Sequence, residues 1–158
     1  MRRLLASLML ILAIQGSDAF AAPFETVINV SSWRDTAPSS IGSNTQLNVT
    51  GSVSLPERFQ AGDPDGTSTN VELNFSGNQA WYIDAFGGSV VNLTDGYILE
   101  MVFANAGSTI NVSNDAVLFR SLRARAGGTV NVFGGSLNSS LWAYPGGHLS
   151  VSGGIIKK

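Results

Sequence analysis

A single asparagine between two apolar residues recurs along this chain: Ile28-Asn29-Val30, Leu47-Asn48-Val49, Leu73-Asn74-Phe75, Val91-Asn92-Leu93, Ile110-Asn111-Val112 and Val130-Asn131-Val132. Leu149-Ser150-Val151 is a seventh copy with serine at its centre. Successive centres lie 19, 26, 18, 19, 20 and 19 residues apart. A near-constant period this short predicts one small supersecondary unit stacked many times. A second column runs in step with the first. Seven residues before the last four centres stand Ala85, Ala104, Ala124 and Ala143, and two residues before those stand Ile83, Val102, Leu122 and Leu141. Apolar–x–Ala is the period-two pattern of a strand with one buried face.

Glycine-rich corners separate these strands, at Gly87-Gly88, Gly107-Ser108, Gly127-Gly128 and Gly146-Gly147. Others follow the asparagine strands, at Asp95-Gly96, Asn114-Asp115, Gly134-Gly135 and Gly153-Gly154. Ile98, Val117, Leu137 and Ile156 stand six residues past their centres and predict a third short strand. Three strands and their bends make one triangular coil. Parallel coils stack about 4.8 Å apart, so seven give a rod of roughly 29 Å. The expected fold is all-β: a single-stranded right-handed parallel β-helix of about seven coils. The left-handed type rests on a strict hexapeptide, which steps drifting between 18 and 20 do not keep. The apolar flanks should point inward and Asn29, Asn48, Asn74, Asn92, Asn111 and Asn131 outward, where stacked amides can bond along the axis as a ladder.

The 26-residue step predicts an insertion loop within residues 62–70, because Phe59-Gln60-Ala61 matches the alanine strand but precedes its centre by too many residues. The C-terminus stops just as a new coil begins, at Gly153-Gly154-Ile155-Ile156-Lys157-Lys158. A bare solenoid end is an exposed sheet edge. The expectation is therefore an uncapped or truncated end, with self-stacking or a missing C-terminal continuation as its partner.

The first 21 residues read as a signal peptide: Arg2 and Arg3, an apolar stretch from Leu4 to Ile14, and Ala19-Phe20-Ala21 as the cleavage site. The apolar run is too short to span a bilayer. Export to the cell surface or medium follows, with residues 22–158 as one β-helix repeat domain. Cleavage takes the net charge from −2 to −3. Such a surface does not attract nucleic acid or an anionic membrane. The chain has no cysteine, which excludes disulfide staples, thiolate metal sites and cysteine nucleophiles.

Candidate chemistry lies on the outward positions of the alanine strand. Asp84, Phe103, Arg123 and Trp142 form one column, and Phe86, Asn105, Arg125 and Tyr144 form another. Exposed aromatics on a rigid sheet can stack on sugar rings, and arginine can hold a carboxylate bidentately. The expected ligand-binding residues are thus Asp84, Phe86, Phe103, Arg123, Arg125, Trp142 and Tyr144, and the expected partner a polysaccharide or cell-surface glycan. Such a face could equally cover the sheet or pack against a continuation of the chain.

Catalysis has less to stand on. A glycosidase needs two carboxylates across one bond, and a calcium-dependent lyase needs an acid cluster. Asp84, Asp95, Glu100 and Asp115 are available, with Arg120 and Arg123 near the first and third, yet no column holds three acids. No catalytic residue, cofactor or metal is assigned. Asp63-Pro64-Asp65-Gly66 lacks the later ligands of a calcium loop, and His148 is expected at the surface. Asn48, Asn74, Asn92 and Asn111 match the glycosylation pattern as a by-product of the repeat. A Thr/Asn array could order water as ice-binding solenoids do, but Glu72, Phe133 and His148 interrupt it.

Segments such as Gly127-Gly-Thr-Val-Asn-Val-Phe-Gly-Gly135 and Gly87-Gly-Ser-Val-Val-Asn-Leu-Thr-Asp-Gly96 resemble the coils of bacterial secreted β-helix proteins. These include autotransporter-type adhesin passengers and pectin-lyase-like solenoids. The resemblance covers roughly residues 25–156 and implies an extracellular structural or adhesive repeat module. A remnant of a polysaccharide lyase or hydrolase, or a plain spacer, are the alternatives. The motif is structural and places no lyase residue on a numbered position here.

Overall fold

The computed structural model describes residues 24–138 and 140–157; the expected leader, residues 1–21, lies outside them. Its described residues are all-β with no helix, and they form a parallel β-solenoid of about seven turns. The asparagine sheet stacks seven strands in chain order: Thr26–Val30, Thr45–Thr50, Val71–Ser76, Ser89–Leu93, Thr109–Val112, Thr129–Val132 and His148–Val151. The alanine sheet stacks six: Ser40–Ile41, Arg58–Ala61, Tyr82–Ala85, Met101–Ala104, Ser121–Ala124 and Ser140–Ala143. The third sheet stacks five two-residue strands: Gln79–Ala80, Tyr97–Ile98, Val117–Leu118, Ser136–Leu137 and Ile155–Ile156.

Both sequence columns are columns in space. Asn29, Asn48, Asn74, Asn92, Asn111, Asn131 and Ser150 are register partners from coil to coil. So are Ile41, Ala61, Ala85, Ala104, Ala124 and Ala143. One-residue slips would turn every apolar flank outward, so the buried pattern locks this register. The flanks fill the interior: Leu47, Phe59, Leu73, Phe75, Ile83, Leu93, Ile110 and Leu122 are completely buried. In the last coil the inward residues Leu141 and Leu149 are only partly buried, and Val151 and Ile156 are exposed.

The long step is absorbed where the sequence places it. Asn48 and Asn74 stay paired while the loop folds on itself. Ser68, nearly buried, donates to Asp63 Oδ2 and accepts from the Asp63 amide, each at 2.7 Å. The loop then lies on the next coil's corner. A Cβ on Gly88 would stand 1.9 Å from the Ser68 carbonyl oxygen, and Gly88 has φ +73°. Only glycine meets both demands.

The third strand forms where the sequence predicts it, with Ile98, Val117, Leu137 and Ile156 all in it. Its register is offset at one coil: Leu118 is the partner of Ile98 and Leu137, and Val117 pairs with Tyr97 and Ser136. Leu118 is buried while Val117 is partly exposed. The corner before it holds one residue more than its neighbours. Asn114 takes the left-handed conformation at φ 51° and Ala116 is fully buried, so the third strand starts one place later.

Candidate functional site

Polar outward positions behave differently on the two long sheets. On the asparagine sheet the side chains satisfy one another. Asn48 Nδ2 donates to Asn29 Oδ1 at 2.8 Å, Asn74 to Asn48 at 2.9 Å, Asn92 to Asn74 at 2.8 Å, Asn111 to Asn92 at 2.9 Å, and Asn131 to Asn111 at 3.0 Å. Every bond runs towards the N-terminal coil. The neighbouring hydroxyls also turn back to the backbone: Ser76 Oγ donates to the Val49 carbonyl at 3.4 Å and Thr94 Oγ1 to that of Phe75 at 3.3 Å. These bonds use the amides of Asn48, Asn74, Asn92 and Asn111 on both sides, which makes the ladder a structural seam.

The alanine sheet carries free chemistry, arranged otherwise than the pleat alone suggests. Asp84 points outward yet is only 2% exposed. Arg58, two positions earlier on the preceding coil, covers it, with Nε and Nη2 each 2.8 Å from Oδ2. Phe103 is outward yet 8% exposed, because two arginines of the next coil fold over its ring. The guanidinium carbons of Arg125 and Arg123 lie 4.2 Å and 5.5 Å from the ring centroid. Both cations thus gain from the ring's negative face. Phe86 is half-buried.

The arginines are held by more than the ring. Arg125 Nη1 donates to Asn105 Oδ1 at 2.9 Å. Arg123 donates through Nε to Ser121 Oγ at 3.0 Å and through Nη1 to the Tyr144 hydroxyl at 3.4 Å. Among the described residues, the ion pairs are Arg58–Asp84 and Arg120–Glu100, so neither Arg123 nor Arg125 meets a carboxylate. Trp142, the register partner of Arg123, is 54% exposed and Tyr144 is 42% exposed. Of the seven residues expected to bind ligand, the structure gathers Phe103, Arg123, Arg125, Trp142 and Tyr144. Asp84 is the register partner of Phe103 on the preceding coil, but its carboxylate is engaged by Arg58, and Phe86 lies two residues beyond it.

Of the four carboxylates considered for catalysis, Asp84, Asp95 and Glu100 are engaged by other groups. Glu100 Oε2 lies 3.5 Å from Arg120 Nε, and Asp95 Oδ1 accepts from the Gly96 amide at 2.6 Å within its own turn. In the insertion loop Asp65 accepts from the Thr67 amide at 3.0 Å and its hydroxyl at 2.8 Å. The amide bond foremost, then the hydroxyl, holds its carboxyl below the ordinary aspartate range. No group of three metal-ligating side chains occurs among the described residues.

A feature absent from the sequence reasoning is a groove at the corner between the third and alanine sheets. It measures about 640 Å³ and is bordered by Phe119, Arg120, Asn138, Trp142 and Lys157. The usable signal was the column just past the third strand, where Trp81, Leu99, Phe119, Asn138 and Lys157 follow one another.

The fold makes this chain a β-solenoid. No family model, curated protein or solved structure matches it, so its function is argued from its own residues. Among the described residues no helix is long and apolar enough to cross a membrane.

Proposed function

We propose that this chain is an exported structural and adhesive repeat module, of the bacterial β-helix kind, that contacts acidic glycans through its alanine sheet. The observation that carries the reading is the arginine pair. Arg123 and Arg125 are ordered over Phe103 by hydrogen bonds, carry no carboxylate partner among the described residues, and stand beside exposed Trp142 and Tyr144. A guanidinium already held in place loses little rotamer freedom on binding a carboxylate or sulfate. The aromatic pair offers a face for a sugar ring. With the leader removed the net charge is −3, so attraction for a polyanion has to come from this local patch rather than from the surface as a whole.

The test is tryptophan fluorescence of the secreted protein titrated with acidic and neutral polysaccharides. Acidic polymers should give a saturable change, and Trp142→Ala should abolish the change and weaken affinity about tenfold, a loss of ~1.4 kcal/mol. The recovered polymer should be uncleaved. Oligosaccharide release would favour a lyase or hydrolase remnant. No response from any polymer would leave the ladder-stiffened solenoid as a spacer.

A further inference from the structure

The two arginines of the alanine sheet are held in different ways. Backbone bonds between coils fix the frame. The Asn105 amide donates to the Ala85 carbonyl, that of Arg125 to Ala104 and that of Tyr144 to Ala124, each at 2.9 Å. Asn105, Arg125 and Tyr144 therefore stack on successive coils, one strand spacing apart. Asn105 is engaged at both ends of its side chain. Its Nδ2 donates to the Ala85 carbonyl at 2.9 Å, and its Oδ1 accepts from Arg125 Nη1 at 2.9 Å. The amide thus ties Arg125 to the backbone two coils away.

One face of the Arg125 guanidinium lies on Phe103, with Cζ 4.2 Å from the ring centroid. With Nη1 tied and that face stacked, the edge formed by Nε and Nη2 remains. Neither of these nitrogens has a partner among the described residues. Arg123 keeps no such edge. Its Nε donates to Ser121 Oγ at 3.0 Å and its Nη1 to the Tyr144 hydroxyl at 3.4 Å, so Nη2 is its one unshared nitrogen. Arg123 braces the exposed Tyr144 ring, whereas Arg125 presents a fork. Two parallel N–H groups match the two oxygens of a planar carboxylate. A sulfate ester spreads its single charge over three oxygens. The two on the fork then carry less charge, and the third meets no second fork.

We propose that Arg125 is the specificity-determining residue of this face, that it selects carboxylate-bearing glycans of the uronate class over sulfated ones, and that Asn105 is its positioning residue. This rests on the alanine sheet being the glycan-binding face. The carboxylate lies on the Nε–Nη2 edge of Arg125, Arg123 adds a single bond, and the sugar ring meets Tyr144 and Trp142 on the next coil. Asn105 can be truncated without stranding its acceptor. The Ala85 carbonyl also accepts from the Asn105 amide at 2.9 Å and from Ser108 Oγ at 3.1 Å. Asn105→Ala should therefore move the melting temperature by no more than about 4 °C.

Calorimetric titration with carboxymethyl-dextran and dextran sulfate of equal charge density, and with neutral dextran, tests this. Carboxymethyl-dextran should bind saturably and at least about threefold tighter than dextran sulfate, with dextran weaker than both. Arg125→Lys keeps the charge and loses the fork; it should weaken the carboxylated polymer about tenfold and abolish the preference. Asn105→Ala should weaken that polymer about fivefold and reduce the preference, which a merely structural asparagine would leave unchanged. Arg123→Lys should keep the preference. Equal or tighter binding of dextran sulfate would overturn the proposal and leave the glycan face standing. So would a preference that survives Arg125→Lys or Asn105→Ala, or one lost equally in Arg123→Lys. Absence of saturable binding by either polyanion would remove the glycan face itself, and this proposal with it.

Discussion

Replacing Asn92 by alanine removes two rungs of the asparagine ladder: its own bond to Asn74 at 2.8 Å and the bond it accepts from Asn111 at 2.9 Å. Replacing Asn131 removes one, the bond to Asn111 at 3.0 Å, because serine stands at the next position and Asn131 accepts none from it. Both side chains are half-buried, so water can reach part of what is left unpaired. At about 1 kcal/mol net per bond, Asn92→Ala should cost ~2 kcal/mol and Asn131→Ala ~1 kcal/mol. Ser150→Asn should add a rung and stabilise by up to ~1 kcal/mol. Urea denaturation reads these values, provided the m-value stays constant across the set, since a solenoid can unfold in parts. In a chain of this length ~1 kcal/mol shifts the melting temperature by about 2–4 °C. The diagnostic is the two-to-one ratio rather than either value. Equal losses at Asn92 and Asn131, or losses below ~0.5 kcal/mol at both, would show that the amides do not act as a connected ladder.

Other consequences follow from single contacts. Gly88→Ala should cost ~3 kcal/mol or more, because its Cβ would stand 1.9 Å from the Ser68 carbonyl at a φ of +73°. Gly42→Ala, with nothing within 4 Å of the added carbon, should cost nothing measurable by thermal melting. The Arg58–Asp84 pair is asymmetric, since Arg58 is 66% exposed and Asp84 3%. Arg58→Ala strands a buried carboxylate and should destabilise by ~2–3 kcal/mol, whereas Asp84→Ala leaves a solvated cation and should cost ~1 kcal/mol; equal losses in urea would contradict the burial of Asp84. Asp65, whose carboxyl is held low by Thr67, adds stability that is present above the ordinary aspartate range. That contribution is lost as pH falls through its depressed value. Melting temperature against pH should therefore fall less steeply on the acid side in Asp65→Asn.

What could be read from the chain divides by distance. The asparagine and alanine columns are local patterns with a fixed period, and each became a column of register partners. The 26-residue step marked its insertion because a bulge leaves the flanking strands unchanged. The third strand was harder. Two residues carry little periodicity, so the strand could be located but not which of its residues points inward, and the extra residue at the Asn114 corner puts Leu118 in register with Ile98 and Leu137. The candidate face was legible in direction and not in cover. Alternation shows that Asp84 and Phe103 point outward, but their burial depends on Arg58, Arg123 and Arg125 from adjacent coils, whose long side chains can reach back across one strand spacing. The corner groove is not legible in the chain, because a short residue between Phe119 and Lys157 is a depression only once the coils are stacked.

The most direct measurement is the affinity of one acidic polysaccharide for the protein and for Arg123→Gln/Arg125→Gln, each at low and high salt. The account predicts saturable binding that weakens with salt and falls at least about tenfold in the double variant, with the fold intact by circular dichroism. Undiminished binding in the double variant would contradict it.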